Sequence, residues 1–487
     1  MARRAFPEFV KSYVGRHRLW SDEMLEAAER ALSLIKEKSI EHVRLSFADQ
    51  HGILRGKTVV ATEIESFLLS GCTITSSLLL KDTSHRTVFP IWSNMPDPVT
   101  GLRGASDMVM IADPRTFRVL SWNDKTAWFL CDLYSADGKP VPLSTRQLAH
   151  EANQKLASRG LTFIGGLEVE LHVFKLEDAH LTPDLSTQPG PPPSISLLSH
   201  GYQYLTEQRM DQLAPVMDLI HETCVGMNLP IRSLEVEFGP SQIELTFGPV
   251  EGIGIADNMV LLRSAIKQSC RRHGYHATFM CRPQLQNIFS SGWHMHQSLI
   301  ESDSGRNAFA THADNRELSD TGKQFAAGLL EHARDSCLFT TPTVTGYKRY
   351  RPYSLAPTGI AWGRDNRAAM LRVIETDDSE AVRIENRIGD PAANPYLYLT
   401  SQIISGLDGL KNALVPPEFT EAPYETDIAQ LPQSLIEALA AFRTSAFYRS
   451  SLGDDFVNYY CSIKQAEVDR FFSEVTDWEQ REYFDLF

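Results

Sequence analysis

The chain has 487 residues, of which 22% are charged, and a net charge of -14 at pH 7. This length can bury a large core and predicts at least two domains, whereas the acidic balance argues against a nucleic-acid partner. No apolar run reaches the roughly 18 residues of a membrane span, and no apolar signal core follows the basic start. Seven scattered cysteines without a Cys-x-x-Cys pair are typical of a reducing compartment, so we expect a cytoplasmic protein.

The first part of the chain predicts a small unit rich in strands. A helix is expected to begin at Ser21 or Asp22, because both residue types cap helices well. The strand HVRLSFAD and its partner HGILRGKTVV follow, with a tight turn at Gly52 between them. The turn formers of SADGKPVPL mark a linker. We therefore predict one domain over residues 1–138 and a second over residues 142–487.

The second domain is predicted to alternate helices with strands. The segment STRQLAHEANQKLASRG has helical periodicity and a C-terminal stop at Gly160, and IADNMVLLRSAIKQSCRRHG predicts a further amphipathic helix. Residues 182–196 are rich in proline and predict a surface loop. From about residue 396 onwards the pattern is helical.

Four segments of the second domain predict strands with one charged face, because side chains alternate along a strand. These faces carry, in chain order, Glu168, Glu170 and His172; Glu235 and Glu237, continued after a turn by Glu244 and Thr246; His294, His296 and Ser298; and Arg383, Glu385 and Arg387. Trp293 precedes the histidines, and Phe238 is expected on the apolar face opposite Glu237. If the strands share a sheet, five glutamates and a histidine converge.

Such a face predicts bound metal. Carboxylates packed together repel one another unless cations neutralise them. Oxygen ligands with one imidazole suit Mg²⁺ or Mn²⁺, whereas zinc sites prefer thiolate and more histidine. The alternative is a solvated strand face with ordinary charges, but its repetition in four segments disfavours that interpretation.

An arginine-rich segment supports phosphate chemistry at the same place. GYKRYRPYSLAPTGIAWGRDNRAAMLRV interleaves arginines with apolar residues, which suits a loop and strand lining an anion site. Guanidinium pairs bidentately with carboxylate and phosphate. The alternative, a solvated basic patch, would not usually carry so many aliphatic neighbours.

These ordered motifs resemble the glutamine synthetase family over nearly the whole chain. GLEVE, EFGPSQIE and SSGWHMHQS resemble its glutamate and histidine strands, and RDNRAAMLR and VRIENRIGDPAANPYL its arginine-rich segments. The resemblance implies an α+β fold with a small amino-terminal β-grasp domain. A large catalytic domain follows, in which helices flank a curved antiparallel sheet or half-barrel. It also implies ATP as cofactor, glutamate and an amine as substrates, and a homo-oligomeric ring, expected to be a dodecamer, with active sites between subunits.

The resemblance also implies a role for each polar residue. One metal is expected on Glu170, Glu237 and Glu244, and a second on Glu168, His294 and Glu385. Arg349 and Arg387 match the residues that hold the carboxylate of glutamate, and Arg367 matches the residue that stabilises the transferring phosphate. The nucleotide side is matched by His296, Ser298, Arg372 and Arg383. In the implied reaction, ATP phosphorylates the γ-carboxylate of glutamate and an amine then displaces phosphate.

Departures from the family pattern predict an unusual amine. Ammonia-using members carry a glutamate on the flap where this chain has Leu355, and a second acid where it has Thr75. Phe289 and Trp293 add aromatic surface beside the histidine strand. Desolvating a small cation without a compensating charge is costly, so an uncharged organic amine is expected. The chain is most similar to the glutamate–amine ligase branch that forms γ-glutamylanilide in aniline degradation.

Several alternatives stay open at this point. The acceptor could be an alkylamine, a polyamine or ammonia, and the acid substrate could be an analogue of glutamate. A catalytically silent structural oligomer is a further alternative, although it predicts decay of metal ligands that are all present here.

Overall fold

A computed structural model describes residues 8–92, 97, 102, 105–178, 182–311 and 318–487. Its α-helices are α1 (Tyr13–His17), α2 (Asp22–Glu37), α3 (Ile64–Ser70), α4 (Thr145–Ala157), α5 (Glu207–Gly226), α6 (Gly254–Arg272), α7 (Asp320–Glu331), α8 (Ala333–Thr340), α9 (Pro395–Lys411), α10 (Leu435–Thr444), α11 (Ala446–Leu452), α12 (Asp454–Ser473) and α13 (Asp477–Tyr483). Within the described ranges, no helix combines the length and apolar character needed to cross a bilayer.

The strands are β1 (His42–Ala48), β2 (Leu54–Val60), β3 (Cys72–Thr75), β4 (Asp107–Ala112), β5 (Arg118–Val119), β6 (Thr126–Tyr134), β7 (Leu161–Leu176), β8 (Ile195–Ser196), β9 (Ile231–Val236), β10 (Gln242–Phe247), β11 (Val250–Glu251), β12 (Tyr275–Thr278), β13 (Trp293–Glu301), β14 (Trp362–Arg364), β15 (Leu371–Ile374) and β16 (Arg383–Gly389). They form two sheets, which together with the helices confirm the predicted α+β class.

The first sheet is mixed and lies in the amino-terminal part of the chain. Its order is β2-β1-β6-β4-β3, with β5 paired to β6. The β1–β6 pair is parallel and the remaining pairs are antiparallel. The predicted turn at Gly52 joins β1 to β2, and its φ of 72° lies in the left-handed region that glycine tolerates best. The predicted cap of α2 is Ser21, whose hydroxyl accepts from the Met24 amide.

The second sheet positions the candidate site. Its order is β14-β15-β16-β13-β7-β10-β9, and β8, β11 and β12 also pair with β7. All of its pairs are antiparallel except β14–β15. The apolar residues of β7, such as Leu167 and Val169, are buried on one face, where α4 and α6 pack. The alternate residues of β7 therefore face the opposite side of the sheet.

A buried arginine links the two sheets. Arg146 of α4 is 3% exposed and donates to Asp132 of β6 at 2.8 Å and to Asp113, just after β4, at 3.1 Å. It also donates to Asp257 of α6 at 3.0 and 2.8 Å. The planar guanidinium can serve several carboxylates at once. The division of the chain into residues 1–138 and 142–487 stays a prediction, but this cluster spans its boundary.

Replacing Arg146 with methionine is expected to destabilise the protein by about 3–5 kcal/mol, because it leaves buried carboxylates without their partner. Thermal unfolding followed by circular dichroism should show a clear fall in Tm. Arg159→Met, a change at an exposed arginine beyond the end of the same helix, is the matched control. Equal Tm values for the two variants would show that the cluster does not stabilise the fold.

Candidate active site

Acidic side chains form a row across three neighbouring strands. Glu170 of β7 lies directly opposite Glu244 of β10, which lies opposite Glu235 of β9. Like charges directly opposite each other destabilise a sheet. Glu237 follows β9 and lines the same cavity as these three carboxylates. A sheet that places four acids together in this way requires positive charge nearby.

A second row carries the histidines. His294 of β13 lies opposite Glu168 of β7, and its Nδ1 is 2.6 Å from a Glu168 oxygen and 3.6 Å from a Glu385 oxygen. His296 Nε2 lies 2.9 Å from the other Glu168 oxygen. On the other side, His294 Nε2 lies 3.9 Å from Glu170. His294 therefore stands between two groups of carboxylates.

Two groups of side chains have the geometry to hold a metal ion. In each, the candidate ligand atoms lie within 4.8 Å of one another; the groups are Glu168, His294 and Glu385, and Glu170, Glu244 and His294. The first is the triplet predicted for one metal. In the second, His294 stands where the prediction has Glu237, which lines the cavity beside this group.

The protonation of these groups reflects their mutual repulsion. Burial and neighbouring carboxylates raise the pKa of Glu170 to about 8 and that of Glu244 to about 11. Burial likewise raises the pKa of Glu237 to about 7. Burial and Arg387 lower the pKa of His294 to about 4, so its imidazole is neutral at pH 7 and can act as a ligand. Glu168 behaves differently: hydrogen bonds to His294 and His296 outweigh its burial and lower its pKa.

This donor set fits hard divalent cations. Carboxylate oxygens with one neutral imidazole are ligands that Mg²⁺ and Mn²⁺ accept, and a cation would offset the burial and the repulsion that raise the three pKa values. Residue 292 is a glycine, which leaves room for Arg349 and His294. A Cβ at this position would lie too close to both, at 2.6 Å from Arg349 Nη2 and 2.9 Å from His294 Nε2. Glycine thus allows Arg349 to approach the histidine.

Arginines surround one end of the carboxylate group. Glu385 of β16 is fully buried and accepts from Arg387 and, at 2.9 Å, from Arg372. Burial opposes ionisation of Glu385, but Arg387 and the two histidines outweigh it and hold its pKa below the usual value. Arg349 Nη2 lies 3.1 Å from His294 Nε2. Arg367 is exposed and lines the same cavity. The predicted arginines therefore meet the predicted glutamates.

These carboxylates, His294 and the arginines enclose a cavity of about 200 Å³, which we call the acidic cavity. A second cavity of about 350 Å³ shares Glu168 and Thr246 with it. Three of the four residues predicted for the nucleotide line the second cavity, namely His296, Ser298 and Arg383. The fourth, Arg372, lines the acidic cavity instead, because its guanidinium is held by Glu385 and Asp365.

An aromatic wall borders the acidic cavity. The Phe238 ring stacks on Tyr204 at 4.5 Å between ring centroids and contacts Phe289 at 5.2 Å. All three line the cavity, as does Leu355 of the predicted flap. Leu355 is 43% exposed and has a φ of 57°, a strained conformation for a branched side chain. Phe289 and Leu355 were both predicted at the substrate site and both line this cavity, but their role in binding substrate stays a prediction.

Two predictions about aromatic residues are wrong. Phe238 does not face away from Glu237, because β9 ends at Val236 and strand alternation stops there. Trp293 is fully buried and packs edge-on against Tyr398. It precedes His294 on β13 and therefore points to the opposite face. Trp293 thus belongs to the core and does not line the acidic cavity.

Sequence reasoning also missed Tyr204, which lies outside any helix or strand. Its position follows from the fold, and no periodicity marks it. Thr75 ends β3, and its hydroxyl lies 3.0 Å from Ser77 Oγ. Thr75 does not line the acidic cavity of its own chain, so its expected role at a neighbouring subunit stays a prediction.

Gln242 forms a hydrogen bond that orients the Glu170 carboxylate. Its Nε2 donates to Glu170 at 2.9 Å and to Ser291 Oγ at 3.1 Å, and its Oε1 accepts from the Gly239 amide at 2.7 Å. Ser291 Oγ in turn lies 3.2 Å from His172 Nδ1. All of these side chains are buried. The amide therefore fixes the Glu170 carboxylate, and Gln242 is the first residue of β10, within the EFGPSQIE motif.

Known proteins resemble this chain in sequence and in structure. The family described as "Glutamine synthetase, catalytic domain" matches residues 142–483. The γ-glutamylanilide synthase of Acinetobacter sp is 40% identical over 97% of this chain and 99% of its own length. The glutamate–isopropylamine ligase of Pseudomonas sp is 29% identical over 96% of this chain and 100% of its own. The solved structure of GmaS with ADP superposes with a TM-score of 0.77, at 25% identity, over 93% of this chain and 99% of that one.

The chain therefore belongs to the glutamine synthetase family, and it is an ATP-dependent ligase that forms C–N bonds. The structural match also confirms the predicted fold class. The family implies ATP and divalent metals, and the two groups around His294 supply side chains that could hold the metals.

The raised pKa values predict how pH acts on the metal-free protein. A glutamate whose pKa is higher in the folded state stabilises the fold below its unfolded value, near 4.5, and that contribution is lost as pH rises through the folded value. For Glu237 and Glu170 these values are about 7 and 8. The Tm in EDTA is therefore expected to fall between about pH 5 and pH 8. Saturating Mg²⁺ should reduce the fall, and an unchanged slope would contradict the cation site.

The contact from Gln242 predicts a change in metal affinity. Gln242→Leu removes the donor to Glu170, so the Kd for Mg²⁺ is expected to rise about 10- to 100-fold, as for other residues that orient metal ligands. Calorimetric titration of the nucleotide-free protein measures this directly. Gln212→Leu, on the exposed surface of α5, is the control. Equal affinities in the two variants would argue against the positioning role.

Proposed function

We propose that the protein joins the γ-carboxylate of glutamate to an arylamine, with aniline as the best candidate, and releases ADP and phosphate. The observation that carries this proposal is the aromatic wall of Tyr204, Phe238 and Phe289 beside the acidic cavity, together with Leu355. An aryl ring can stack on such a wall, and aromatic contacts add to the free energy of burial.

The flap disfavours a charged amine. Leu355 lines the cavity where ammonia-using relatives have an acid, so its side chain offers no negative charge to ammonium or to a protonated alkylamine. Moving a small cation out of water without such a partner costs several kcal/mol. An arylamine is mostly neutral at pH 7 and avoids this cost. The similarity to the γ-glutamylanilide synthase of Acinetobacter sp supports the same acceptor.

The reaction proceeds in two steps. A γ-carboxylate oxygen of glutamate attacks the γ-phosphorus of ATP, so ADP leaves and γ-glutamyl phosphate forms. The amine nitrogen then attacks the activated carbon, the C–O bond to phosphate breaks, and the nitrogen loses a proton to give a neutral amide. Arg349 and Arg387 hold the glutamate carboxylate, and Arg367 contacts the transferring phosphoryl group. Positioning and charge stabilisation supply most of the catalysis in reactions of this kind.

Two sets of residues are proposed to hold the cofactors. Divalent metal, Mg²⁺ or Mn²⁺, would be held by Glu170, Glu237, Glu244, Glu168, His294 and Glu385, and it would neutralise charge on the phosphoryl oxygens. ATP would be held in the cavity of about 350 Å³ by His296, Ser298 and Arg383, and by Arg372, which lines the acidic cavity. Glu168 borders both cavities, which suits transfer from one to the other.

Assembly and location complete the proposal. The protein forms a homo-oligomeric ring, a dodecamer, in which Thr75 of one subunit borders the acceptor pocket of the next. It works in the cytoplasm, where ATP and glutamate are available. Size-exclusion chromatography with light scattering would measure the number of subunits.

Phosphate release with ATP, glutamate and a panel of amines tests the acceptor. Aniline is expected to give a higher kcat/KM than isopropylamine, ethanolamine, putrescine and ammonium. Omitting glutamate should abolish the release, which controls for ATP hydrolysis. Faster turnover with ammonium than with every organic amine would reject the proposal, and a preference for isopropylamine would move the acceptor to the alkylamines.

Leu355→Glu tests the role of the flap. The new carboxylate faces the cavity, so the ratio of kcat/KM for ammonium to that for aniline is expected to rise at least tenfold. Leu355→Gln has the same length without the charge and is the matched control. If both variants change the ratio equally, the effect is one of shape and the charge argument fails.

A further inference from the structure

A larger cavity lies away from the reaction centre and has no role in the proposed reaction. Its volume is about 550 Å³, within the range of small-molecule sites. Its walls come from the turn between β1 and β2, from α6, from the residues after β12, from the segments around 343 and 393, and from α12. None of its lining residues lines the acidic cavity or the cavity proposed for ATP.

The lining combines an apolar body with positive charge. Its apolar residues include Ile53, Leu54, Val260, Phe279, Met280 and Pro342. Its basic side chains are His51, Arg263, Lys267 and Lys464, and no aspartate or glutamate is among the described residues that line it. A protein with a net charge of -14 thus lines this cavity with basic side chains and, among its described residues, with no carboxylate.

Arg263 and Lys267 lie one turn apart on α6 and face the cavity together. Arg263 donates only to backbone carbonyls, those of Pro391, Ala393 and Gly52, at 2.8–3.1 Å. The Lys267 ammonium has the Ala277 carbonyl at 3.2 Å. Neither forms an ion pair with any described residue. Like charges at this spacing repel, and burial lowers the pKa of Arg263 to about 10.

The carboxylates nearest to the cavity are already engaged. Asp49 pairs with Arg55 at 2.6 Å, and Glu467 pairs with Lys464 at 3.0 Å. Asp390 accepts from Thr343 Oγ1 at 2.6 Å. The cavity therefore contains two cationic side chains without an anionic partner beside an apolar wall.

We propose that this cavity binds a small organic anion with an apolar body, of the aromatic carboxylate class. The carboxylate lies against Lys267 and Arg263, and the ring packs against Phe279 and Val260. Hydroxyl groups of Ser264 and Thr278 also line the cavity and can donate to the second carboxylate oxygen. Burial of the ring supplies affinity, and the charge pair supplies selectivity for an anion.

The site is connected to the reaction centre through the backbone. Arg263 holds the loop of Pro391 and Ala393, which directly follows β16 with its Glu385 and Arg387. Thr343 and Thr345 lie on the segment that leads to Arg349. A ligand in the cavity therefore contacts the segments that carry two arginines of the reaction centre.

Calorimetric titration of the full-length protein with benzoate tests the proposal. Benzoate is expected to bind, whereas benzamide, its neutral isostere, and acetate, an anion without an apolar body, bind at least tenfold more weakly. Lys267→Met keeps the aliphatic stem and removes the charge, so it should weaken benzoate binding about tenfold. Lys411→Met, at the exposed end of α9, is the control and should leave it unchanged.

A competition experiment separates this cavity from the glutamate site. Excess glutamate with ATP is expected to leave the Kd for benzoate unchanged. Displacement of benzoate by glutamate, equal binding of benzamide, equal affinity in the Lys267→Met variant, or no benzoate binding at all would each overturn the proposal. Because benzoate is not a substrate of the ligase, a failed aniline assay would leave this result unaffected.

Discussion

The repulsion among buried carboxylates is the constraint on which the rest of this structure depends. Strand pairing sets Glu170, Glu244 and Glu235 directly opposite one another, and burial raises the pKa of the first two far above the usual value. The pKa values of Glu168 and Glu385 are not raised, because histidines contact Glu168 and arginines contact Glu385. A protein gains no stability from such a row by itself. The repulsion within this row of glutamates requires cations to offset it. The reaction of the family uses the charge of such cations.

The sheet register converts a local pattern into a site. Glu168 meets His294 on one side and Thr246 on the other, while Glu170, two residues further along β7, meets Glu244. A shift of one residue in either pairing would turn these side chains into the core. The fully buried Leu167, Val169 and Leu171 on the other face of β7 prevent that shift. Core packing thus holds the charged face in place, although it contributes no ligand.

Strand alternation explains both the successes and the errors of the sequence analysis. It placed Glu168, Glu170, Glu244, His294 and Glu385 correctly because each lies within a regular strand, where a period of two residues fixes the face. Phe238 was assigned to the wrong face because β9 ends two residues before it. Tyr204 lies outside any helix or strand and left no periodic signal. Trp293 could have been placed correctly, since alternation with His294 directs it to the core. The subunit arrangement depends on contacts between chains, which one sequence does not encode as a pattern.

The charged groups and the aromatic wall lie on different kinds of backbone. The charged groups are on paired strands, whose geometry neighbouring strands fix on both sides. The wall that we propose for the acceptor is on irregular segments: Tyr204 and Phe289 lie outside the strands, and Leu355 has a left-handed backbone conformation. Substitutions in such segments alter the shape and charge of the pocket without shifting the register of the sheet. Relatives named for aniline, ethanolamine and isopropylamine products or substrates share this fold family. Because the charged groups and the proposed acceptor wall lie on different segments, one such sheet can serve chemically different amines.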